Sequence, residues 1–252
     1  MNRIDGINSK SGLMTHVVAG YPDMETSREL IYAMAESGVG MIEIQIPFSD
    51  PLADGPTIMK ANQVALNKGV SINECFELVA SVRGHVDIPL LFMSYANIPF
   101  RYGLKQFIQD SSQVGIDGLI IPDIPFDEQL DYIGIADSYG VYPIQVVSPD
   151  IEFQRLQQIV KIAKGFIYTT LKVGVTGAGK KIPKEGIMFV NRLKEMSGVP
   201  VMAGFGISSK EHVCQVLQVA DGAVIGSHII NLLNEQGIES VKRFLISLSE
   251  KN

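Results

Sequence analysis

The feature that most constrains this chain is a pattern repeated eight times. Short apolar runs at 14–19, 41–46, 89–94, 118–122, 142–147, 166–170, 200–203 and 222–225 are rich in Ile, Val and Leu, and most end in polar, Gly or Pro residues. Such runs suit parallel strands buried on both faces. Segments with helical spacing follow them, at 26–37, 72–83, 104–114, 126–139, 151–163, 185–196, 209–219 and 238–248. Ser71 and Ser208 or Ser209 stand where N-caps belong, and Gly38, Gly115, Gly140 and Gly165 close helices as left-handed C-caps. Strand then helix, eight times without a linker, predicts a single-domain (β/α)8 TIM barrel, α/β in class, over 1–252. A doubly wound open sheet is the competing arrangement. The barrel is preferred because eight units fill the whole length. The stretch from Pro47 to Val70 exceeds what a strand-to-helix loop needs, and an extra helix is expected over 57–67.

Composition narrows the function classes. With 46% hydrophobic and 19% charged residues, the chain has the material for a large core. Its net charge is −6 and its 21 Lys and Arg are scattered, which argues against nucleic acid or an anionic membrane surface as a partner. No apolar run nears the roughly 18 residues of a membrane span, and a cytoplasmic location is expected. Cys75 and Cys214 have no metal or redox spacing and are expected to be buried thiols.

In a parallel barrel, chemistry sits at the C-terminal ends of the strands. Glu43 lies in the second run, between Ile42 and Ile44, so its side chain points away from theirs, into the barrel. Asp54 follows in the loop "PFSDPLADGP". Two carboxylates at one mouth can divide acid and base roles. The alternative makes Glu43 a structural hydrogen-bond anchor and Asp50 and Asp54 turn formers beside Pro51 and Gly55. Further on, "AGFGIS" and "VIGSHI" follow the seventh and eighth runs, where barrels bind phosphate, and Gly206, Gly226 and Ser227 are the natural backbone donors. The glycines of "KVGVTGAGKK" suit a lid over substrate or a plain flexible loop. Lys172, at its start, is either solvated or a Schiff-base nucleophile. Asp123, Tyr95 and Asn97 place polar groups at the same mouth as ligand contacts or loop anchors. His16, His85, His212 and His228 show no metal-ligand spacing and are expected to be packing or surface residues, with His16 set apart by its place in the first run.

Taken together, "IEIQIPFSDPLADGPTI", "GYPD", "LLFMSYANIPFRYG", "GLIIPDIPFDE", "GFIYTTLKVGVTG", "PVMAGFGIS" and "ADGAVIGSHII" resemble, in order and over nearly the whole chain, the tryptophan synthase α chain family of indole-3-glycerol-phosphate lyases. The resemblance implies retro-aldol cleavage of indole-3-glycerol phosphate to indole and glyceraldehyde 3-phosphate. It makes Glu43 the general acid–base that protonates the indole ring at C3. It makes Asp54 the carboxylate that accepts from the indole N–H. Thr176 matches a lid threonine that meets this aspartate, and Gly177, Gly206, Gly226 and Ser227 match a phosphate site. Phe205 and Tyr168 flank the ligand, and Met93 and Ile58 line the indole pocket. No metal or organic cofactor is implied in this chain. Pro47, Phe48 and Asp50 lie where the family's loop meets a pyridoxal-phosphate β chain in an αββα heterotetramer that receives the indole. An α-like chain that mainly binds and activates a β chain is the alternative.

Four departures from the family pattern stand out. Gln45 replaces a glycine two residues after the glutamate, and is expected to crowd the mouth or to contact the β chain. His16 occupies a position where an apolar indole-pocket residue is common. Leu171–Lys172 replaces a serine–arginine pair. The N-terminus leaves little chain for a leading helix under the barrel.

Overall fold

The computed structural model describes residues 2–6, 12–171, 183–204 and 206–249. Eight parallel strands, β1 (Leu13–Val18), β2 (Met41–Gln45), β3 (Leu90–Met93), β4 (Gly118–Ile120), β5 (Tyr142–Val147), β6 (Ile167–Thr170), β7 (Val201–Gly204) and β8 (Gly222–Ile225), pair in sequence order. Pairing of β1 with β8, Leu13 opposite Ala223 and Thr15 opposite Ile225, closes the barrel. This is the expected (β/α)8 architecture, and the open sheet is excluded.

Helices α1 (Met24–Glu36), α2 (Pro56–Asn67), α3 (Ile72–Arg83), α4 (Asn97–Tyr102), α5 (Leu104–Val114), α6 (Gln129–Ser138), α7 (Phe153–Ile162), α8 (Lys184–Met196), α9 (Lys210–Leu217), α10 (Ser227–Gln236) and α11 (Ile238–Ser249) surround it. The alternation of side chains along each strand makes two apolar layers. Outward residues such as Ile42, Ile44, Leu90, Phe92, Val201 and Ala203 pack beneath the helices. Inward Met14, Met41, Leu91, Ile144, Phe166 and Met202 fill the barrel. Each such fully buried side chain contributes roughly 1.5–3 kcal/mol. The interior is therefore a packed plug below its upper rim, and the mouth is the open end.

Local signals worked where their chemistry is strong. The Ser71 N–H donates to Glu74 at 2.7 Å, a capping box that starts α3. Ser209 accepts from the His212 N–H at the start of α9. Gly115 ends α5 at φ +92°, where any Cβ would also strike the Arg83 side chain. Two helices were not expected. The segment "NIPFRY" reads as loop because of its Asn and Pro, yet Pro99 sits in the first turn of α4, where a missing N–H costs nothing. Helix α10 begins inside a Gly-Ser loop signal, and its apolar Ile229, Ile230 and Leu233 seat it on the barrel. The expected helix over 126–139 is a 3-10 turn, Phe126–Glu128, followed by α6. Cys75 is buried, but Cys214 is exposed, contrary to expectation: α9 buries Val213 and Val216, and Cys214 lies on its other side.

Residues 2–6 help to close the floor. A 3-10 turn, Arg3–Gly6, inserts Ile4 among the inward residues of the barrel. The Asn2 side-chain amide donates to the carbonyls of Asp117 and Gly140. Asp117, 4% exposed, accepts from Arg3 at 2.9 Å, Arg83 at 3.3 Å and the Leu90 N–H at 3.0 Å. Removing one member of such a buried ion network leaves the rest uncompensated. Asp117→Ala is expected to destabilise the barrel by about 3 kcal/mol, read from a urea unfolding midpoint. A loss below about 1 kcal/mol, the scale of an exposed ion pair, would refute the floor's dependence on it.

Candidate active site

Inward parity and adjacency build the site. His16 on β1 stands opposite Glu43 on β2, and Val18 opposite Gln45. Residues 41, 43 and 45 share the inward face of β2, so above Met41 the strand presents two polar side chains in succession. Both are buried, Glu43 at 4% and Gln45 at 0% exposure, and polar groups so placed need partners.

They find them in the mouth itself. His16 Nδ1 lies 3.1 Å from Glu43 Oε2, with both side chains about 5% exposed. Gln45 Nε2 donates to Asp54 Oδ2 at 2.6 Å. Asp54 folds back from the loop after β2, where its N–H closes a turn on the Pro51 carbonyl at 3.0 Å. Asn62, from α2, donates to Asp54 Oδ2 at 3.4 Å and to the Ile58 carbonyl at 2.9 Å. The Tyr95 hydroxyl accepts from the Ala53 N–H at 3.1 Å and faces Asp54. The loop is thus tied to β2, β3 and α2, and Asp54 is only 5% exposed.

Burial sets the proton affinities. Asp54 is raised above the ordinary carboxylate range mainly by desolvation. The Gln45 hydrogen bond and the His16 charge oppose the rise, and the charge of Glu43 adds to it. Burial acts to lower the His16 pKa, but the charge and hydrogen bond of Glu43, helped by Asp54 and Gln45, carry it above 6.5. Tyr168 is held far above 10 by burial and by both carboxylates, so it remains a neutral phenol. Gly204 makes room for that ring: a Cβ there would come within 2.9 Å of the Tyr168 hydroxyl oxygen.

These residues wall one cavity. His16, Glu43, Asp54 and Tyr168 supply its polar side. Ile58, Met93, Ile120, Val146 and Val224 supply an apolar slot. Gly206, Gly226 and Ser227 line it as well, and Ser227 opens α10 with Gly226 at its N-cap. A helix N-terminus carries unpaired N–H groups and a favourable field for an anion. The expected residues Glu43, Asp54, Ile58, Met93, Tyr168, Gly206, Gly226 and Ser227 therefore share one cavity. Thr176, Gly177, Phe205 and Lys172 lie outside the described residues. Leu171 is described and buried.

The remaining expectations divide. Pro47, Phe48 and Asp50 border a separate groove with Asn97, Ile98 and Arg101. Phe48 stacks on buried Tyr95 at 5.2 Å, while Asp50 and Leu52 face solvent. Asp123 accepts from the Ala96 N–H at 2.8 Å and anchors a loop. His228 packs edge-on against Phe244, and His85 against Tyr32, away from the cavity lining. Gln45 corrects an expectation: it turns inward and holds Asp54, so with no exposed surface it cannot contact a partner chain. His16, set apart in the sequence by its place in the first run and at a pocket position, lines the cavity beside Glu43. Asn62 carried no signal, because its contacts depend on how the loop folds.

Two buried carboxylates, an apolar slot and a helix N-terminus thus share the mouth of a closed parallel barrel, the architecture of a (β/α)8 enzyme. Comparisons with known proteins agree on the class. The family model for the tryptophan synthase alpha chain matches residues 5–251. The tryptophan synthase alpha chain of Syntrophotalea carbinolica is 41% identical over 236 residues, covering 94% of this chain and 93% of the relative. That of Thermoanaerobacter sp. is 39% identical and covers 99% of both chains. Among solved structures, a chain of Mycobacterium tuberculosis tryptophan synthase superposes with a TM-score of 0.90 at 32% identity, over 98% of this chain and 95% of that one. The Pyrococcus furiosus tryptophan synthase A-subunit superposes at 0.89 and 30% identity, over 96% and 99%. The chain belongs to the tryptophan synthase alpha chain family.

The Gln45 contact yields a pH prediction. Ionised Asp54 accepts an N–H more strongly than its protonated form. Gln45 lowers its pKa against the effect of burial, so Gln45→Leu raises that pKa further. The acid limb of the kcat/KM profile is then expected to move to higher pH. An unmoved limb would show that Gln45 does not tune Asp54.

Proposed function

We propose that this chain is the lyase subunit of tryptophan biosynthesis, cleaving indole-3-glycerol phosphate to indole and glyceraldehyde 3-phosphate. The observation that carries the reading is the joint presence of Glu43 and Asp54 on one apolar cavity that the N-terminus of α10 also lines. The indole ring fits the slot of Ile58, Met93, Ile120 and Val146. Asp54 accepts from the ring N–H and stabilises the cation that forms when C3 is protonated. Glu43 delivers that proton and then takes one from the hydroxyl on the side-chain carbon bonded to the ring. As that hydroxyl ionises, the carbon–carbon bond breaks, its electron pair returns to the ring, and the aldehyde forms. The phosphate belongs at Gly206, Gly226 and Ser227, where backbone N–H groups and the helix field hold it.

General acid–base catalysis of this kind contributes about 10²–10⁴ in rate, and the orientation of the substrate adds to it. The family carries no cofactor in this chain; pyridoxal phosphate belongs to the β chain. We infer pairing with that β chain in an αββα assembly in the cytoplasm. Pro47 and Phe48 back the groove beside the site, and Asp50 and Leu52 supply exposed surface next to it. Among the described residues no helix is long and apolar enough to cross a membrane. A chain that only binds and activates a β partner has no observation in its favour, since the carboxylates and their cavity are intact.

Glu43→Gln is expected to abolish indole release, by at least 100-fold, with thermal unfolding within a few degrees of wild type. Wild-type release from the variant would remove Glu43 from the mechanism. Ser227→Asp is expected to raise KM tenfold or more, on the order of 1.4 kcal/mol, with kcat little changed. An unchanged KM would place the phosphate elsewhere.

A further inference from the structure

Glu43 is not the only ionisable group at its end of the cavity. His16 meets it across the β1–β2 register with Nδ1 3.1 Å from Oε2, both groups shielded from water. The other ring nitrogen, Nε2, is buried with no hydrogen-bond partner among the described residues, and His16 lies on the cavity wall. An unpaired buried polar atom is costly, and its persistence calls for an explanation. Gly226, at the N-cap of α10, lies beside His16 on the same wall. A histidine that merely packed the core would have an apolar environment. This one has two carboxylates acting on it, Glu43 from β2 and Asp54 from the following loop, with Gln45 beside them; the same two carboxylates act on Tyr168 of β6 across the cavity lining. Tyr95, beyond the end of β3, faces Asp54.

We propose that His16 and Glu43 act as a proton-holding pair, in which His16 positions the carboxylate and stores the proton that Glu43 delivers to the ring. The proposal rests on the lyase reading above. Before reaction the pair carries one transferable proton, as an imidazolium beside a carboxylate. That proton passes through Glu43 to ring C3, leaving neutral imidazole and carboxylate. When the side-chain hydroxyl ionises and the carbon–carbon bond breaks, the hydroxyl proton returns to the pair. Protons balance over the cycle, and no other reactant is needed. The pair also explains how a carboxylate whose side chain is shielded from water is supplied with a proton. The raised proton affinity of His16 agrees with this, because the imidazolium persists above pH 6.5 and is lost as pH rises further.

The test uses His16→Phe and His16→Asn with β chain present, measuring indole release against pH, together with NMR titration of the His16 imidazole in wild type and Glu43→Gln. His16→Phe is expected to lower kcat on the order of 100-fold with KM within about twofold. His16→Asn keeps an N–H toward Glu43 and is expected to recover part of kcat. Its alkaline fall should move to lower pH, since Glu43 alone then holds the proton. The His16 titration is expected to move to lower pH in Glu43→Gln, where burial is no longer opposed by the carboxylate charge. Wild-type kcat and pH profile in both His16 variants would overturn the pair and leave the lyase reading standing. Absence of indole release from wild type would instead defeat the lyase reading. The pair is then judged by the titration alone: a shift supports it and an unmoved titration refutes it.

Discussion

Burial of negative charge at the barrel mouth is the constraint on which the rest of this site depends. Glu43 and Asp54 are each about 5% exposed or less, and an unpaired carboxylate at that depth is costly. Each has a partner from β1 or β2: His16 on the adjacent strand for Glu43, and Gln45 for Asp54, which the loop folds back against it. Strand register fixes the first pairing and the path of the loop fixes the second. Slipping β1 against β2 by one residue would turn His16 toward the helices and strand Glu43. Local pairing of strands, burial and acid–base chemistry are thus one arrangement.

The same compensation shapes the loop that follows β2. Asp54 could not stay inside without Gln45 and Asn62, and the loop could not take that path without Tyr95 receiving the Ala53 N–H. Phe48, stacked on Tyr95, links this inner network to the outer face of the loop. A contact made by a partner on that face has a short, packed route to the second carboxylate. The barrel floor follows the opposite logic: Asp117 gathers two guanidinium groups and a backbone N–H to seal the end where no chemistry occurs.

Much of this was legible in the sequence because it rests on periodicity. Eight buried strands announce themselves as apolar runs, and Glu43 between Ile42 and Ile44 declares its direction by parity alone. Glycines at helix ends and the Ser71 cap are equally local. What escaped depends on contacts distant in sequence. Gln45 reads as an obstacle until the loop is seen to bring Asp54 against it. His16 stands out by its place in the first run, but its pairing with Glu43 shows only when β1 is laid beside β2. Helices α4 and α10 are missed because Pro, Asn, Gly and Ser in their first turns carry the signature of loops. Cys214 fails for a simpler reason: one residue beside Val213 changes the helix face.

The central claim is that both carboxylates and the α10 N-terminus engage one substrate at one time. The measurement that tests it most directly is a crystal structure with a non-cleavable indole alkyl phosphate bound. The account predicts the ring N–H within about 3 Å of Asp54, ring C3 facing Glu43 with His16 still beside it, and the phosphate on Gly226 and Ser227. A ligand whose ring lies away from both carboxylates, or whose phosphate sits elsewhere on the barrel, would contradict it.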